Sequence, residues 1–577
     1  MPSKPKINTG QQILGDFNSQ NKLLLNVYYS RGNREYNVPD VCTFVYKDTT
    51  TKEKHMMEWE HPLMKMYVVK EEFRDDSFYP ETVPRSHCDV WMFPYREVLS
   101  QIYRLASPHM RKFVDWCRET GNYYSMKKLH HTPCVLASDF PYENYFRIEW
   151  LLNYAQKDLD MSITKQYLDI EVDSISVPGM PENGNCPINA VTIVDQELMQ
   201  CFTFLLRNPE NPLIAEFEAH IDDFIGLCHQ SFDESYGRLE YNIYMYDEEL
   251  ELISNVFRLI NTMKRDFLLI WNLPFDIPYI MDRLVTLGQD PRDYMCHPDF
   301  RYPYCWFRKD RRNFDFKTRR DIFRCASYTI FQDQMTNYAK VRKGQAELPS
   351  LKLNAIAKSE LNDEKLDYTD EANIKTLPYV DYVKFVLYNI KDVLLQFGIE
   401  RKVKDLEAIF QRAYDNATDY DSIFSQTIFL KNRVFLDYYR ELDLIQGNNV
   451  NIKYDSKKDD EEAEKETDPD QEYELDADGE PDYTRPISKG FEGALVGNPL
   501  NNSYEGKVIY GKKSMFIFDY VIDFDSTTQG PCTRNGTMQS YLIAGKSPVD
   551  NQQPSFTNVK KAQRLSRKGV HASAWKW

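Results

Sequence analysis

No stretch of this 577-residue chain approaches the roughly 20 consecutive apolar residues that a helix needs to cross a bilayer. Residues 1–10, MPSKPKINTG, lack the apolar core of a secretory leader. The eleven cysteines include no Cys-x-x-Cys pair and no Cys/His set at zinc-ligand spacing, Cys228-His229 and Cys296-His297 being merely adjacent. No segment repeats with a fixed period. These absences argue against a membrane span, a disulfide scaffold, a zinc module and a solenoid. The expectation is a reduced, cytosolic protein with no membrane partner.

Positive charge is also scarce. A net charge of −17 seems to exclude a nucleic-acid partner. Residues 455–482, however, hold fifteen acids and three bases, which leaves only about −5 for all the rest. A run so charged and so poor in apolar residues predicts a solvated loop. The remainder is near neutral and free to carry local basic surfaces.

What is present is ample apolar and aromatic material, 42% and 14%, in a chain too long for one core and sized for roughly three or four domains. Residues 22–70 alternate in short runs (LLLNVYYS, DVCTFVYKD, MKMYVVKE) that predict antiparallel strands. Residues 95–155 read as mixed or helical. QYLDIEV, INAVTIVD and QCFTFLL then predict a β-meander, followed by a helix near 246–264, the strand DFLLIWN and the helix IPYIMDRLVTLG. Apolar residues spaced three and four apart predict an amphipathic helix over 378–402. Helical pattern continues to about 443, and β-like runs occupy 487–525. The fold class is α+β, in several domains.

Four acids stand out by context. Asp169 and Glu171 lie two apart on an apolar strand, so their side chains share a face. Asp276 follows a second apolar strand where a helix begins. Asp392 lies on the long helix with Tyr388 one turn before it. Carboxylates delivered by strands and a helix are what a two-metal hydrolytic site needs, with two divalent ions roughly 4 Å apart. Tyr388 is placed to orient an attacking water.

In this order, D-I-E, N-x-x-F-D and Y-x-x-x-D resemble the three 3′→5′ exonuclease motifs of family B DNA polymerases, particularly those of tailed bacteriophages. The resemblance implies a ribonuclease-H-like domain holding Mg²⁺ or Mn²⁺ on Asp169, Glu171, Asp276 and Asp392, with Tyr388 positioning the water. It also implies that Phe275 packs against a frayed primer end. Many members place three residues between Asn and Phe-Asp, whereas NLPFD has two. Residues 307–324 hold eight bases and three acids, with Phe307, Phe314, Phe316 and Phe323 interleaved. Alone they read equally as a solvated hairpin or as a DNA contact. Phage members carry a strand-parting hairpin here, which makes Arg311 and Arg312 candidates for phosphate contact and the aromatics candidates for base stacking. Gly493 and Ala494, in GFEGALVGNP, resemble a template-contacting segment that precedes the polymerase palm.

The palm begins and does not continue. Setting Asp525 at the metal-binding position of D-x-x-S-L-Y-P-S aligns only Pro531, and Gly530 takes the place of the sugar-gating tyrosine. From 531 to 577 the chain has eight bases and one acid without periodicity. Two explanations stand, a basic arm or a reading frame that leaves the polymerase gene inside the motif. The expected organisation is therefore an N-terminal β-rich domain (1–158), the exonuclease (159–402), a helical connector packing with the N-terminal domain (403–450), an acidic loop (451–484), the start of a palm (485–530) and a basic tail (531–577). The function implied is the N-terminal and exonuclease part of a viral DNA-directed DNA polymerase in the cytoplasm of an infected bacterium. Its partners would be primer–template DNA, single-stranded 3′ ends, a second polymerase chain and a sliding clamp. The alternatives are a nucleic-acid-binding assembly subunit with little catalysis and a free-standing exonuclease, for which the palm-like segment is unnecessary.

Overall fold

The computed structural model describes residues 21–33, 38–74, 82–106, 108–121, 125–132, 134–154, 159–175, 181–311, 313, 315–342, 350–367 and 375–446, with strand pairs 473–475/481–486 and 503–504/507–508. Arg312, Phe314, Gly493, Ala494, Asp525 and the tail from 531 lie outside the described residues. The chain forms two compact units, residues 1–106 with 120–448, and residues 107–119 with 449–577. In the second unit, the helix Pro108–Glu119 and the two short antiparallel pairs are the described elements.

The first unit begins with a meander of β1 (Lys22–Ser30), β2 (Val41–Asp48) and β3 (Lys54–Glu60). β1 and β2 are buried along most of their length, as their Leu, Val, Phe and Tyr content requires. Next come β4 (Leu63–Val69), β5 (Thr82–Pro84), β6 (Cys88–Pro94) and β7 (Val135–Leu136), with β4 paired between β6 and β7. The helix Tyr142–Tyr154 packs on β1, so Phe146 and Trp150 meet Phe44 of β2.

A six-stranded mixed sheet follows. β8 (Lys165–Val172), β9 (Ile188–Asp195) and β10 (Gln200–Leu206) form the expected antiparallel meander, and β11 (Glu240–Tyr246) adds parallel to β10. On the other flank, β12 (Phe267–Ile270) runs parallel to β8. β13 (Cys305–Arg308) and β14 (Ile322–Cys325) leave the sheet as a separate antiparallel pair before β15 (Ile330–Asp333) joins parallel to β12. The order is β11-β10-β9-β8-β12-β15. β8, β12 and β15 are thus parallel neighbours whose C-terminal ends share one edge.

The helix Tyr382–Val403 lies across β8 and β9. Asp381 caps it by accepting the Lys384 amide at 2.9 Å, and the chain leaves it at Lys404 with φ 54°. The sequence predicts an amphipathic helix here, but every residue from Tyr388 to Glu400 is buried. The reason is a second cover, the helices Ile221–Tyr236 and Leu353–Leu361, on the face away from the sheet. At Gly398 a Cβ would stand 2.9 Å from both Tyr236 and Leu361, so this close crossing needs glycine.

A buried charge cluster joins the N-terminal sheet to the mixed sheet. Asp266, just before β12, receives Lys47 at 2.8 Å and Lys54 at 2.9 Å, and the three side chains are at most 5% exposed. From the helical region after 403, Tyr420 donates to the Leu25 carbonyl, and β16 (Leu444–Gln446) pairs with β5.

Candidate active site

Leu168 and Ile170 alternate with Asp169 and Glu171 along β8, so the two carboxylates share one face with Tyr167, which meets Phe397 of the helix Tyr382–Val403. That helix supplies Asp392. One carboxylate oxygen from each of Asp169, Glu171 and Asp392 falls within 4.8 Å of the others. Asp276 stands outside this tightest set, in the first turn of the helix Leu273–Thr286, and its electrostatic neighbours are Asp169 and Glu171. Asp169, Asp276, Asp392 and Tyr388 line one cavity of about 910 Å³. Trp271, which donates its indole N–H to the Leu351 carbonyl at 3.1 Å, forms part of the wall.

So many acids crowded together below the surface raise one another's proton affinity. Burial, then the Asp392 charge, pushes Asp169 up to about 7. Glu171 rises well above the usual carboxylate range by burial and by Asp169, and Asp276 does so by burial and by both. Asp392 is raised mainly by burial, against the pull of Lys365. Two further features are invisible to motif reading. Lys365 pairs with Asp392 Oδ2 and donates to the Tyr388 hydroxyl at 3.0 Å. Burial works to lower its pKa, but Asp392, Tyr388 and Asp169 outweigh that and raise it. Asp333, at the end of β15, buries both carboxylate oxygens without hydrogen bonds, and burial pushes it up to about 7.

Asn389 fixes the orientation of Asp169. Its Nδ2 donates to Asp169 Oδ2 at 3.2 Å, and its Oδ1 accepts from Thr192 Oγ1 at 2.6 Å. Thr192 sits directly opposite Asp169 on β9, and Thr203 directly opposite Thr192 on β10, 3.0 Å away by their hydroxyls. A buried polar row therefore crosses three strands to hold one carboxylate.

The donor set suits a hard divalent cation. Its ligands are all carboxylate oxygens, Asp392 Oδ1 is buried without a hydrogen-bond partner, and one lysine faces at least four acids. Asp169, Glu171 and Asp392, with Asp276 beside them, could hold such ions.

The structure treats the other sequence candidates unevenly. Phe275 is 38% exposed and stacks on Tyr279, whose hydroxyl is pinned by the Cys186 backbone. In the 307–324 stretch, Arg308, Lys309 and Arg311 are exposed. Arg319 and Arg324 are instead committed to Asp321 and Asp421. Phe323 is buried and Phe307 packs against the core, so neither is free to stack on a base. Phe316 reaches the wall of the carboxylate cavity. Lys365, Asn389 and Asp333 escaped sequence reading because their partners are remote in the chain or, for Asn389, hidden beside a recognised tyrosine.

No curated protein matches the chain. A family comparison does return a match, to the exonuclease domain of DNA polymerase family B, over residues 224–356. That interval contains Asp276 and the β13–β14 pair, while Asp169, Glu171 and Asp392 lie outside it and are brought to Asp276 by the fold. Residues 224–356 are thus similar to the exonuclease domain of DNA polymerase family B, and the acidic cavity, which Asp276 of that interval lines, is compatible with the likeness.

Proposed function

We propose that this chain is the N-terminal and exonuclease portion of a viral, tailed-phage-type family B DNA polymerase, and that it removes nucleotides from single-stranded or frayed 3′ ends. One observation carries the reading, the convergence of Asp169, Glu171 and Asp392 within 4.8 Å beside a cavity that Asp169 and Asp392 line with Asp276 and Tyr388. The sequence β10-β9-β8-β12-β15 within the sheet, with β9 reversed, supports a ribonuclease-H-like domain. Asp169, Glu171, Asp276 and Asp392 would hold Mg²⁺ or Mn²⁺. When bound, such ions supply Lewis acidity and lower the pKa of a coordinated water.

The chain's own residues do the rest. Lys365 donates to the Tyr388 oxygen, which keeps that hydroxyl oriented toward the cavity where a water would attack. The same ammonium offsets the carboxylate charge at Asp392. Asn389 holds Asp169 in one orientation. Phe316 offers a flat apolar surface for a base, and exposed Arg308, Lys309 and Arg311 offer phosphate contacts.

Polymerisation, in this reading, needs a second chain that supplies the remaining palm, fingers and thumb, with a sliding clamp as a further partner. Asp525 would be its first metal ligand, and Gly493 and Ala494 a template contact. The exposed bases favour one alternative, a DNA-binding subunit with little catalysis. The deciding experiment incubates the protein and Asp169→Ala with 5′-labelled single-stranded DNA and Mg²⁺ or Mn²⁺. Stepwise 3′ shortening, reduced at least about 100-fold by the substitution, is expected. An unshortened strand, or equal shortening by both proteins, would overturn the nuclease reading.

A further inference from the structure

Between the helix Leu353–Leu361 and residue 367 the chain passes along the cavity wall, with Asn362 at φ 55° to begin the turn. Two of its four charged side chains, Asp363 and Lys365 on either side of Glu364, reach the helix Tyr382–Val403 at consecutive positions. Asp363 Oδ2 accepts from Lys391 Nζ at 2.6 Å and from the Tyr236 hydroxyl at 2.6 Å. Lys365 pairs with Asp392 and donates to Tyr388. The loop thus offers minus then plus, and the helix plus then minus. Moving the helix by one residue past these two side chains would set Asp363 on Asp392 or Lys365 on Lys391, like charges together at helix positions that are only 6% and 2% exposed.

The rest of the loop agrees with this register. Asp363 Oδ1 accepts the Glu364 amide at 2.8 Å, and Asn354 Oδ1 accepts the Lys365 amide at 2.8 Å. Lys391 lies over the Tyr236 ring, 5.0 Å from its centroid, with no other carboxylate hydrogen-bonded to it among the described residues. Asp363 is therefore the counter-charge of a lysine that has no part in the carboxylate cavity, and it sits two residues from one that does.

We propose that Asp363, held by Lys391 and Tyr236, is a positioning residue for the hydrolytic site: it fixes the loop so that the Lys365 ammonium stays on Asp392 and Tyr388. This rests on the nuclease reading of the cavity. The Asp363–Lys391 pair is the fastening and the Lys365–Asp392 pair is the working contact.

The test uses the full chain and two readouts. One is kcat and KM on single-stranded DNA with Mn²⁺. The other is the rate at which the Lys365 amine is reductively methylated by formaldehyde and cyanoborohydride, followed by peptide mass spectrometry without metal. For Asp363→Asn, kcat should fall about 10-fold with KM within about 2-fold, and Lys365 should label several-fold faster. Asp363→Glu should recover most of both. Unchanged labelling and unchanged kcat in a folded Asp363→Asn protein would overturn the proposal, as would a loss of kcat that follows the unfolded fraction while Lys365 stays protected. If Asp363→Asn does not fold, Tyr236→Phe, which removes a single donor to Asp363, decides by the same two readouts at smaller amplitude. Absence of hydrolysis by the unsubstituted chain would sink the nuclease reading instead, and the labelling comparison would still report on the fastening.

Discussion

At the scale of single residues, the site is a place short of positive charge. Asp169 has an ordinary value of 3.8 and is pushed up to about 7 by burial and by Asp392. Between about pH 4 and 7 the folded, metal-free chain therefore keeps a proton that the unfolded chain has released, and stability falls as pH rises through that window. A divalent ion held by these carboxylates would replace the proton. Saturating Mn²⁺ should thus raise the thermal unfolding midpoint more at pH 8 than at pH 5, and Asp392→Asn should shrink the difference. Equal shifts at both pH values would contradict a cation seated on these carboxylates. Asp169, Glu171, Asp276, Asp392 and Tyr388 were legible in the sequence because each lies in a short pattern of apolar neighbours. Lys365 was not, since a loop lysine 27 residues before its partner leaves no local periodicity. Asp333 ends an apolar run too short to distinguish from core, and only the parallel pairing of β12 with β15 brings it near Asp276.

At the scale of elements, the β13–β14 pair divides its labour. Composition alone presents 307–324 as a uniformly basic, aromatic surface. The folded pair turns Phe323 into the core, ties Arg319 and Arg324 to acids, exposes Arg308, Lys309 and Arg311, and sends Phe316 to the cavity. Replacing Arg308 and Arg311 by Ala should weaken single-stranded DNA binding and flatten the dependence of log K on log salt by roughly 0.7 for each phosphate no longer neutralised. Phe316→Ala should raise KM several-fold while leaving that slope unchanged. Fluorescence anisotropy titrations between low and high salt separate the two, and a slope that moves with Phe316 would refute the division. The long helix 382–403 shows a limit of pattern reading. Its spacing gave the element and its approximate ends, but over 388–400 the polar residues Asn389, Lys391, Asp392, Gln396 and Glu400 are buried like the apolar ones, so periodicity could not report which face is solvated.

At the scale of the whole molecule, Asp266 is the counter-charge for two lysines that arrive from another sheet. Asp266→Asn would leave Lys47 and Lys54 buried with their charges uncompensated, and urea unfolding should register a loss of about 3 kcal/mol. A loss below about 1 kcal/mol would mean that the cluster rearranges or takes up water. Nothing in the sequence pointed to this link, because Lys47 and Asp266 are 219 positions apart and each looks like an ordinary strand-end charge. The arrangement bears on how the protein can be made. On the ribosome, β2 and β3 are complete long before residue 266 emerges, so the first sheet must wait with two ammonium groups hydrated on a surface destined to be dry. A fragment cut at the apparent boundary near 158 would keep that wet, charged patch permanently, and its expression as an independent piece should yield a loosened, poorly cooperative sheet.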